Sequence, residues 1–259
     1  MKTITSLSQY IDFVHNIHES KAFGLLWAQR NIWYRGQENA QWDLKPSLFR
    51  NGYSPYMEHN LLQLASREVW SAISNCKTNL EQLVYFQHYG LPTRLLDITS
   101  NPLVALYFAC QPHKKNGKEC RGKVYYFYNP TIADTNVIEK LCSIIFKREN
   151  KDMYDSKTFN QLDEYVLTSH HFILPPFTNE RIEVQNGAFL MSALYDKKVP
   201  KPYPLFSDYI QEFNGSIIIA AHSKARILDE LAECDIHTGT LFPDPEHKLR
   251  YVREKTLKN

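Results

Sequence analysis

Apolar residues recur along this chain at helical spacing in some segments and at strand spacing in others, which predicts a mixed fold. Near the N-terminus, this spacing predicts a helix from Ser6 or Ser8 to about His18. Further helices are predicted over residues 56–75, 79–89, 103–110, 136–168 and 224–233. Strands are predicted over residues 31–35, 123–128, 181–191 and 216–221, the third interrupted by a turn at Asn186-Gly187, and a surface loop over residues 197–204.

The size and composition of the chain are those of an ordinary globular protein. It has 259 residues, of which 43% are hydrophobic and 22% charged, and its formal net charge is +2. The length fits one α+β domain, which we divide into an N-terminal helical segment (residues 1–30) and a globular unit (residues 31–259). So small a net charge neither implies nor excludes a nucleic-acid partner.

The sequence gives no sign of membrane insertion, secretion or metal binding. Neither the apolar run of a signal peptide nor 18 consecutive apolar residues is present, so we expect a cytoplasmic protein with no membrane partner. The five cysteines lack a Cys-x-x-Cys pair, and the ten histidines lack ligand spacing. We therefore expect no metal cofactor.

Residues 87–109 place polar side chains at close spacing within an apolar background. Gly90, Pro92 and Pro102 fix turns among them. Such a mixture is unsuited to a hydrophobic core and typical of a binding or catalytic site. The polar members are His88, Thr93, Arg94, Asp97, Thr99 and Ser100.

Several motifs together resemble the FRG domain family, which is named for an aromatic-Arg-Gly motif. The motifs are Trp33-Tyr34-Arg35-Gly36-Gln37, residues 42–50 (WDLKPSLFR), residues 87–97 (QHYGLPTRLLD), residues 185–190 (QNGAFL) and residues 240–244 (TLFPD). The resemblance covers most of the chain from about Ile32 onward, so residues 31–259 are assigned to the FRG domain. It implies a bacterial toxin or phage-defence effector.

A looser resemblance links three segments to toxin-type ADP-ribosyltransferases. In that family a first strand ends in Arg or His before a small residue, a later strand carries a hydroxyl and leads into a helix, and a last strand carries Glu. Arg35-Gly36, residues 95–100 and residues 182–185 follow this order. The resemblance implies a single domain with a small, split, mostly antiparallel sheet flanked by helices. It also implies NAD as the substrate and a protein or nucleic-acid acceptor, with a regulatory protein partner possible.

This resemblance assigns roles to individual residues. The NAD-binding set is Arg35, Gly36, Gln37, Arg94, Thr99 and Ser100, and the catalytic set is Glu183, Gln185, Asp97 and His88. A guanidinium binds phosphate through two parallel hydrogen bonds, and a glycine allows the ligand close to the backbone. Cleavage of NAD develops positive charge on the ribose, which a carboxylate stabilises. On a strand, Glu183 and Gln185 would face the same side.

Other interpretations of the same residues remain open at this stage. Arg35 and Arg94 fit a buried ionic network with Asp97 or Glu183, and Gln185 fits a residue that closes a turn. Where the transferase pattern has its Glu, this chain has Gln185, which carries no charge. The alternative functions are therefore a non-catalytic nucleotide- or nucleic-acid-binding module and a purely structural domain.

Overall fold

A computed structural model describes residues 3–19, 31–50, 57–128, 132–147, 166–175, 180–194 and 214–258. The strands are β1 (Thr3–Ile4), β2 (Ile32–Gln37), β3 (Leu95–Thr99), β4 (Lys114–Lys115), β5 (Lys118–Glu119), β6 (Gly122–Tyr128), β7 (His171–Ile173), β8 (Gly187–Met191) and β9 (Asn214–Ile219). The helices are α1 (Leu7–Glu19), α2 (Glu58–Glu68), α3 (Trp70–Ile73), α4 (Asn79–His88), α5 (Pro102–Ala109), α6 (Thr135–Lys147), α7 (Glu180–Val184), α8 (Lys224–Glu233), α9 (Thr238–Leu241) and α10 (Pro245–Lys258).

Seven strands form one sheet in the order β1-β9-β6-β2-β3-β8-β7, and β4 and β5 form a separate hairpin. Only the β1–β9 pairing is parallel among the described strands of the sheet. The predicted α+β class with a mostly antiparallel sheet is confirmed, although this sheet is not small.

The sheet is nearly divided at its centre. Strands β2 and β3 share a single register pair, Tyr34 with Thr99, whereas β2 and β6 are paired over six residues. The four strands on one side and the three strands on the other therefore form two lobes joined by a short seam. A cleft opens beside this seam.

Each lobe has its own hydrophobic core, and a third core of residues from β2, β3, β6, β7 and β8 spans the seam between them. Helices α1, α5 and α8 pack on the lobe that contains β2, with Tyr10, Leu106 and Ile227 fully buried. Helices α4 and α6 pack on the other lobe, where Leu83 and Met191 are fully buried. The N-terminal segment takes part in the first core through Ile4, whose strand pairs with β9.

Helix α5 begins at a strong start signal and lies unusually close to the sheet. The side chain of Asn101 accepts a hydrogen bond from Leu103 N (2.9 Å), and Pro102 occupies the first turn. A Cβ on Gly36 would lie 1.8 Å from the Ala105 carbonyl oxygen, and one on Gly122 would lie 2.1 Å from that of Ala109. The two glycines therefore allow α5 to pack directly on the backbone of β2 and β6.

The structure corrects the predicted elements at two places. The helix predicted over residues 56–75 is divided into α2 and α3. The helix predicted over residues 136–168 is present as α6 up to Lys147, and residues 148–165 lie outside the described part of the chain. Residues 181–191 are not one extended segment, because their first part is the helix α7. The loop predicted over residues 197–204 also lies outside the described residues.

No helix among the described residues is long and apolar enough to span a membrane. Within the same residues, no group of three or more His, Cys, Asp or Glu side chains is arranged to hold a metal ion.

Candidate functional site

A cavity of about 320 Å³ opens beside the seam between β2 and β3. Its volume lies at the lower end of the range typical of small-molecule sites. Side chains from β2, α4, β3, α5, α7 and β8 line it. Residues from the segments between these elements line it as well. The polar and charged lining residues are Tyr34, Arg35, Ser47, Arg50, Gln87, His88, Asp97, Thr99, Arg181 and Gln185.

Arg35 crosses the seam from β2 to β3. Its Nη1 donates to the Asp97 carbonyl oxygen at 2.5 Å and lies 3.8 Å from the Asp97 carboxylate, while its side chain is only 15% exposed. Burial lowers the pKa of Arg35 to about 10, Asp97 opposes that shift, and Arg50 adds to it. The Nε group is buried and has no hydrogen-bond partner among the described residues. This guanidinium therefore remains charged at neutral pH with a donor unused.

Two further guanidinium groups line the cavity. Arg50 donates from Nε to the Lys45 carbonyl oxygen at 2.8 Å, and burial lowers its pKa against the attraction of Asp97 and Glu38. Arg181, on α7, lies over the ring of Phe242 at 4.7 Å from the ring centroid. The cavity is therefore lined by three cationic groups from three distant parts of the chain.

Asp97 is the one carboxylate among the described residues that line the cavity. Its side chain is 66% exposed, and its Oδ1 accepts a hydrogen bond from Gln87 Nε2 at 3.0 Å. Gln87 in turn accepts through Oε1 from the Thr93 hydroxyl. Gln87 thus holds the carboxylate in place while leaving it accessible from the cavity.

Thr99 and Gln185 also line the cavity, but much of their hydrogen-bonding capacity is used within the protein. The Thr99 hydroxyl donates to the Gln185 carbonyl oxygen at 2.6 Å and accepts from Asn101 N at 2.9 Å. The Gln185 side-chain amide donates to the Leu241 carbonyl oxygen at 2.9 Å. These bonds fix the positions of α7 and α9 beside β3.

His88 lies at the end of α4 and lines the cavity between α4 and α7. Burial and the nearby Arg181 lower its pKa, and Asp244 opposes that shift. The imidazole is therefore neutral near pH 7 and able to accept a proton or a hydrogen bond there.

The structure thus brings together six of the ten predicted site residues around one cavity: Arg35, Gly36, His88, Asp97, Thr99 and Gln185. The other four do not line it. Ser100 is exposed at the end of β3, where its backbone N–H donates to Asn186. Gln37 is buried and its Nε2 donates to the Asp43 carbonyl oxygen at 3.4 Å.

The predicted placement of Glu183 on a strand beside Gln185 is wrong, because its segment is helical. Residues two apart face the same side only on a strand, and α7 directs Glu183 to solvent while Gln185 lines the cavity. Arg181, four residues before Gln185, lines the cavity with it, as helical spacing requires.

Arg94 does not line the cavity either. Its guanidinium is buried and forms an ion pair with Glu58, which is buried too. Its Nε donates to Glu58 at 2.9 Å, and its Nη1 donates to the carbonyl oxygens of Ser192 and Ala193 at 3.3 and 3.1 Å. These contacts occupy the side chain and make Arg94 a structural residue that ties α2 to the end of β8.

Gly36 has a different role from the predicted one. It lines the cavity, but the space that a side chain would need is filled by the backbone of α5 and not by open volume. Gly36 is therefore required by helix packing.

Sequence reasoning missed Arg50, Arg181 and Gln87 as site residues. Arg50 and Gln87 stand within motifs that carry the FRG resemblance, so their positions offered a signal. Arg181 offered only its helical spacing from Gln185, which the β-branched residues between them obscured.

Comparison with known proteins gives one match. The family model of the FRG domain matches residues 30–118, which include Arg35, Arg50, His88, Asp97 and Thr99 but not α7 or β8. No curated protein matches the chain. No solved structure matches it either. Residues 30–118, about a third of the chain, are therefore similar to the FRG domain that the motifs in this region predicted, and the match does not extend to residues 119–259.

Proposed function

We propose that the cavity binds the phosphate groups of a nucleotide, that this nucleotide is NAD, and that the domain cleaves the bond between nicotinamide and ribose. The observation that carries the proposal is the placement of Arg35, Arg50 and Arg181 around one cavity with Asp97 as the sole lining carboxylate among the described residues. The lining therefore has a formal excess of two positive charges. An anion with two phosphates, such as the pyrophosphate of NAD, compensates that excess.

Arg35 is the main phosphate ligand in this proposal. Its burial disfavours the charged form, so a bound anion is stabilised there more than it would be by an exposed guanidinium. Its buried Nε also lacks a partner among the described residues, which leaves a donor for a phosphate oxygen. Leu91, Val104 and Phe108 supply an apolar wall suited to a base or nicotinamide ring.

Asp97 is the group that we assign to the chemical step. When the bond between C1′ of the ribose and the nicotinamide nitrogen breaks, nicotinamide leaves with the bonding electron pair and the sugar becomes cationic. A carboxylate held beside it stabilises that charge until water or an acceptor attacks C1′. Gln87 holds Asp97 for this role, and Gln185 lies where a side-chain oxygen can accept from a ribose hydroxyl.

The second candidate function is nucleotide binding without turnover. It is favoured by the position of Glu183, which is exposed outside the cavity. The segment that resembles the last transferase strand therefore contributes only the uncharged Gln185 to the cavity and no carboxylate. In that case Asp97 serves to position Arg35 and Gln87, and the bound nucleotide is a signal.

Two measurements separate these functions: calorimetric binding of NAD, and release of nicotinamide followed by chromatography. Asp97→Asn should keep NAD binding and lower nicotinamide release about 100-fold, because removing a preorganised charge raises the barrier by about 3 kcal/mol. Glu183→Gln, the matched control on the exposed side of α7, should release nicotinamide at the wild-type rate. Arg35→Lys should weaken NAD binding, since an ammonium cannot bind phosphate through two parallel hydrogen bonds.

The outcomes are distinct. The enzyme is supported if Asp97→Asn loses nicotinamide release and Glu183→Gln keeps it. The second candidate is supported if the wild-type chain binds NAD but releases no nicotinamide. Failure of the wild-type chain to bind NAD contradicts the enzyme, and failure to bind ATP and GTP as well contradicts the second candidate. As a test of a toxin or phage-defence role, expression of the chain in bacteria should slow growth, and Asp97→Asn should restore it.

A further inference from the structure

We propose that the β4–β5 hairpin and the start of β6 form a docking surface for single-stranded nucleic acid. We define this basic hairpin surface by Lys114, Lys115, Lys118, Arg121 and Lys123, together with Trp42, which packs against it. The proposal goes beyond nucleotide binding in the cavity and does not depend on it.

Positive charge is concentrated in this one segment. Residues 111–123 contain five Lys or Arg and one Asp or Glu, a net charge of +4, while the other 246 residues sum to −2. Lys114, Lys115, Lys118 and Arg121 are all exposed. The small net charge of the whole protein therefore hides a strongly basic patch, and a polyanion is the complementary partner.

The acidic groups near the hairpin contact side chains outside its exposed lysines, although Glu119 also stands opposite Lys114 within the hairpin. Glu119 Oε1 lies 3.0 Å from Nζ of the buried Lys224, Glu38 lies 3.4 Å from His113, and Asp43 lies 2.9 Å from Lys45. Among the residues that the structure describes, no carboxylate within 4 Å forms an ion pair with Lys114, Lys118 or Arg121. Glu119 offsets part of the charge of Lys114, and the remaining positive field of the surface is left for a partner.

The hairpin keeps these lysines at fixed positions. Its turn, Asn116-Gly117, has φ values of 53° and 74°, and Cys120 N donates to the His113 carbonyl oxygen at 2.8 Å below the two strands. Lys115 and Lys118 face each other as a direct register pair. Like charges directly opposite each other destabilise a hairpin, whereas the neighbouring register pair of Lys114 with Glu119 supports it.

An aromatic side chain completes the surface. The ring of Trp42 is 37% exposed, and it contacts the ring of His113 edge to face at a centroid distance of 4.8 Å. Exposed aromatic rings beside a basic track are the usual platform for unpaired bases, which favours a single strand over a duplex.

The basic hairpin surface lies close to the cavity. Lys123 pairs in register with Gln37, two positions from Arg35, so the surface lies about 7 Å along the strand from the cavity.

The test measures fluorescence anisotropy of labelled DNA and RNA oligonucleotides of mixed sequence, about 12 nucleotides long, with the full chain at rising salt. The test variant is Lys114→Gln/Lys115→Gln/Lys118→Gln. The matched control removes three exposed cations from α10, in Lys248→Gln/Arg253→Gln/Lys255→Gln. Trp42→Leu tests stacking.

We expect wild-type binding that weakens with salt, and an affinity at least about tenfold lower for the hairpin variant. Three lost phosphate contacts should also reduce the slope of log affinity against log salt by about 2. The control should bind within about twofold of wild type, and Trp42→Leu should weaken binding about tenfold without changing the slope. NAD binding should be the same in the hairpin variant as in wild type.

Three results overturn the proposal. The first is no binding of either oligonucleotide at low salt. The second is an equal loss in the hairpin and α10 variants, which reduces the effect to overall charge. The third is binding to phosphatidylserine vesicles or to an acidic peptide with none to the oligonucleotides, which assigns the patch to another partner. Failure of NAD binding alone leaves the surface unaffected.

Discussion

Replacing Gly36 by alanine should destabilise the domain strongly, because the added Cβ has no space. That atom would lie 1.8 Å from the Ala105 carbonyl oxygen, 2.7 Å from Ala109 N and 2.9 Å from the Ala105 carbonyl carbon. A carbon-to-oxygen contact needs about 3.3 Å, so α5 would have to move by about 1.5 Å from β2. All three obstacles are backbone atoms, which cannot rotate away.

The expected magnitude follows from this geometry. Overpacking usually costs about 1–3 kcal/mol, and a clash with helix backbone belongs at or above the upper end, so we expect a loss of at least about 3 kcal/mol. For a domain of this size that loss lowers the melting temperature by about 6–12 °C. Calorimetry or circular dichroism of the thermal transition measures it, and a urea titration gives the free energy of unfolding independently.

Gly90→Ala is the matched control, because Gly90 lines the same cavity. It has a φ of +84° and no atom within 4 Å of the added Cβ, so we expect only about 1–2 kcal/mol for the left-handed backbone. A Gly36→Ala protein with the wild-type melting temperature and weakened NAD binding would refute helix packing as the role of Gly36. It would restore the interpretation that this glycine admits a ligand.

Two further predictions concern buried groups outside the cavity. Arg94→Met should lower the free energy of unfolding by about 3–5 kcal/mol, because the Glu58 carboxylate is left buried without its partner. The double variant Glu58→Gln/Arg94→Met should recover part of this loss. An unchanged melting temperature in Arg94→Met would contradict a stabilising ion pair. Burial lowers the pKa of His171 despite a hydrogen bond to the Val166 carbonyl oxygen, so the unfolded chain binds this proton at higher pH than the folded chain. The stability contributed by the neutral imidazole should therefore be complete above the ordinary pKa of 6.5 and fall as the pH drops below it. Urea midpoints measured across that pH range should change less in His171→Asn than in wild type. An equal change in both proteins would refute the role of His171 in this pH dependence.

The elements that sequence predicted best have local signals at their ends. Thr78 accepts a hydrogen bond from Glu81 N at the start of α4, and Asn101-Pro102 begins α5. Both helices begin where these residues indicate. The segment at 181–191 was mispredicted because Ile182 and Val184 alternate like strand residues, whereas packing of Ile182 in the core and a turn at Asn186, with a φ of 47°, favour α7.

The candidate site was predictable where its polar residues stand on strands otherwise rich in apolar residues, as Arg35, Asp97 and Thr99 do. Arg94 appeared equally suitable, because its partner Glu58 stands 36 positions earlier and no local pattern reveals that contact. Arg50 and Arg181 reach the cavity only through the tertiary arrangement of distant segments. Sequence therefore located the region of the site but could not separate its structural arginine from the ones that line the cavity.

The narrow seam between β2 and β3 has a mechanical consequence. Beyond the single register pair of Tyr34 and Thr99, a side chain bridges the two strands: Arg35 donates to the Asp97 carbonyl oxygen where the backbone ladder would otherwise continue. A ligand that attracts this guanidinium competes with the bridge. The strands do not part when it does so, because a hydrophobic core that includes Trp33 of β2, Leu96 of β3 and Phe172 of β7 spans the seam. The bridging side chain can therefore exchange a backbone partner for a ligand while the sheet itself stays in one piece.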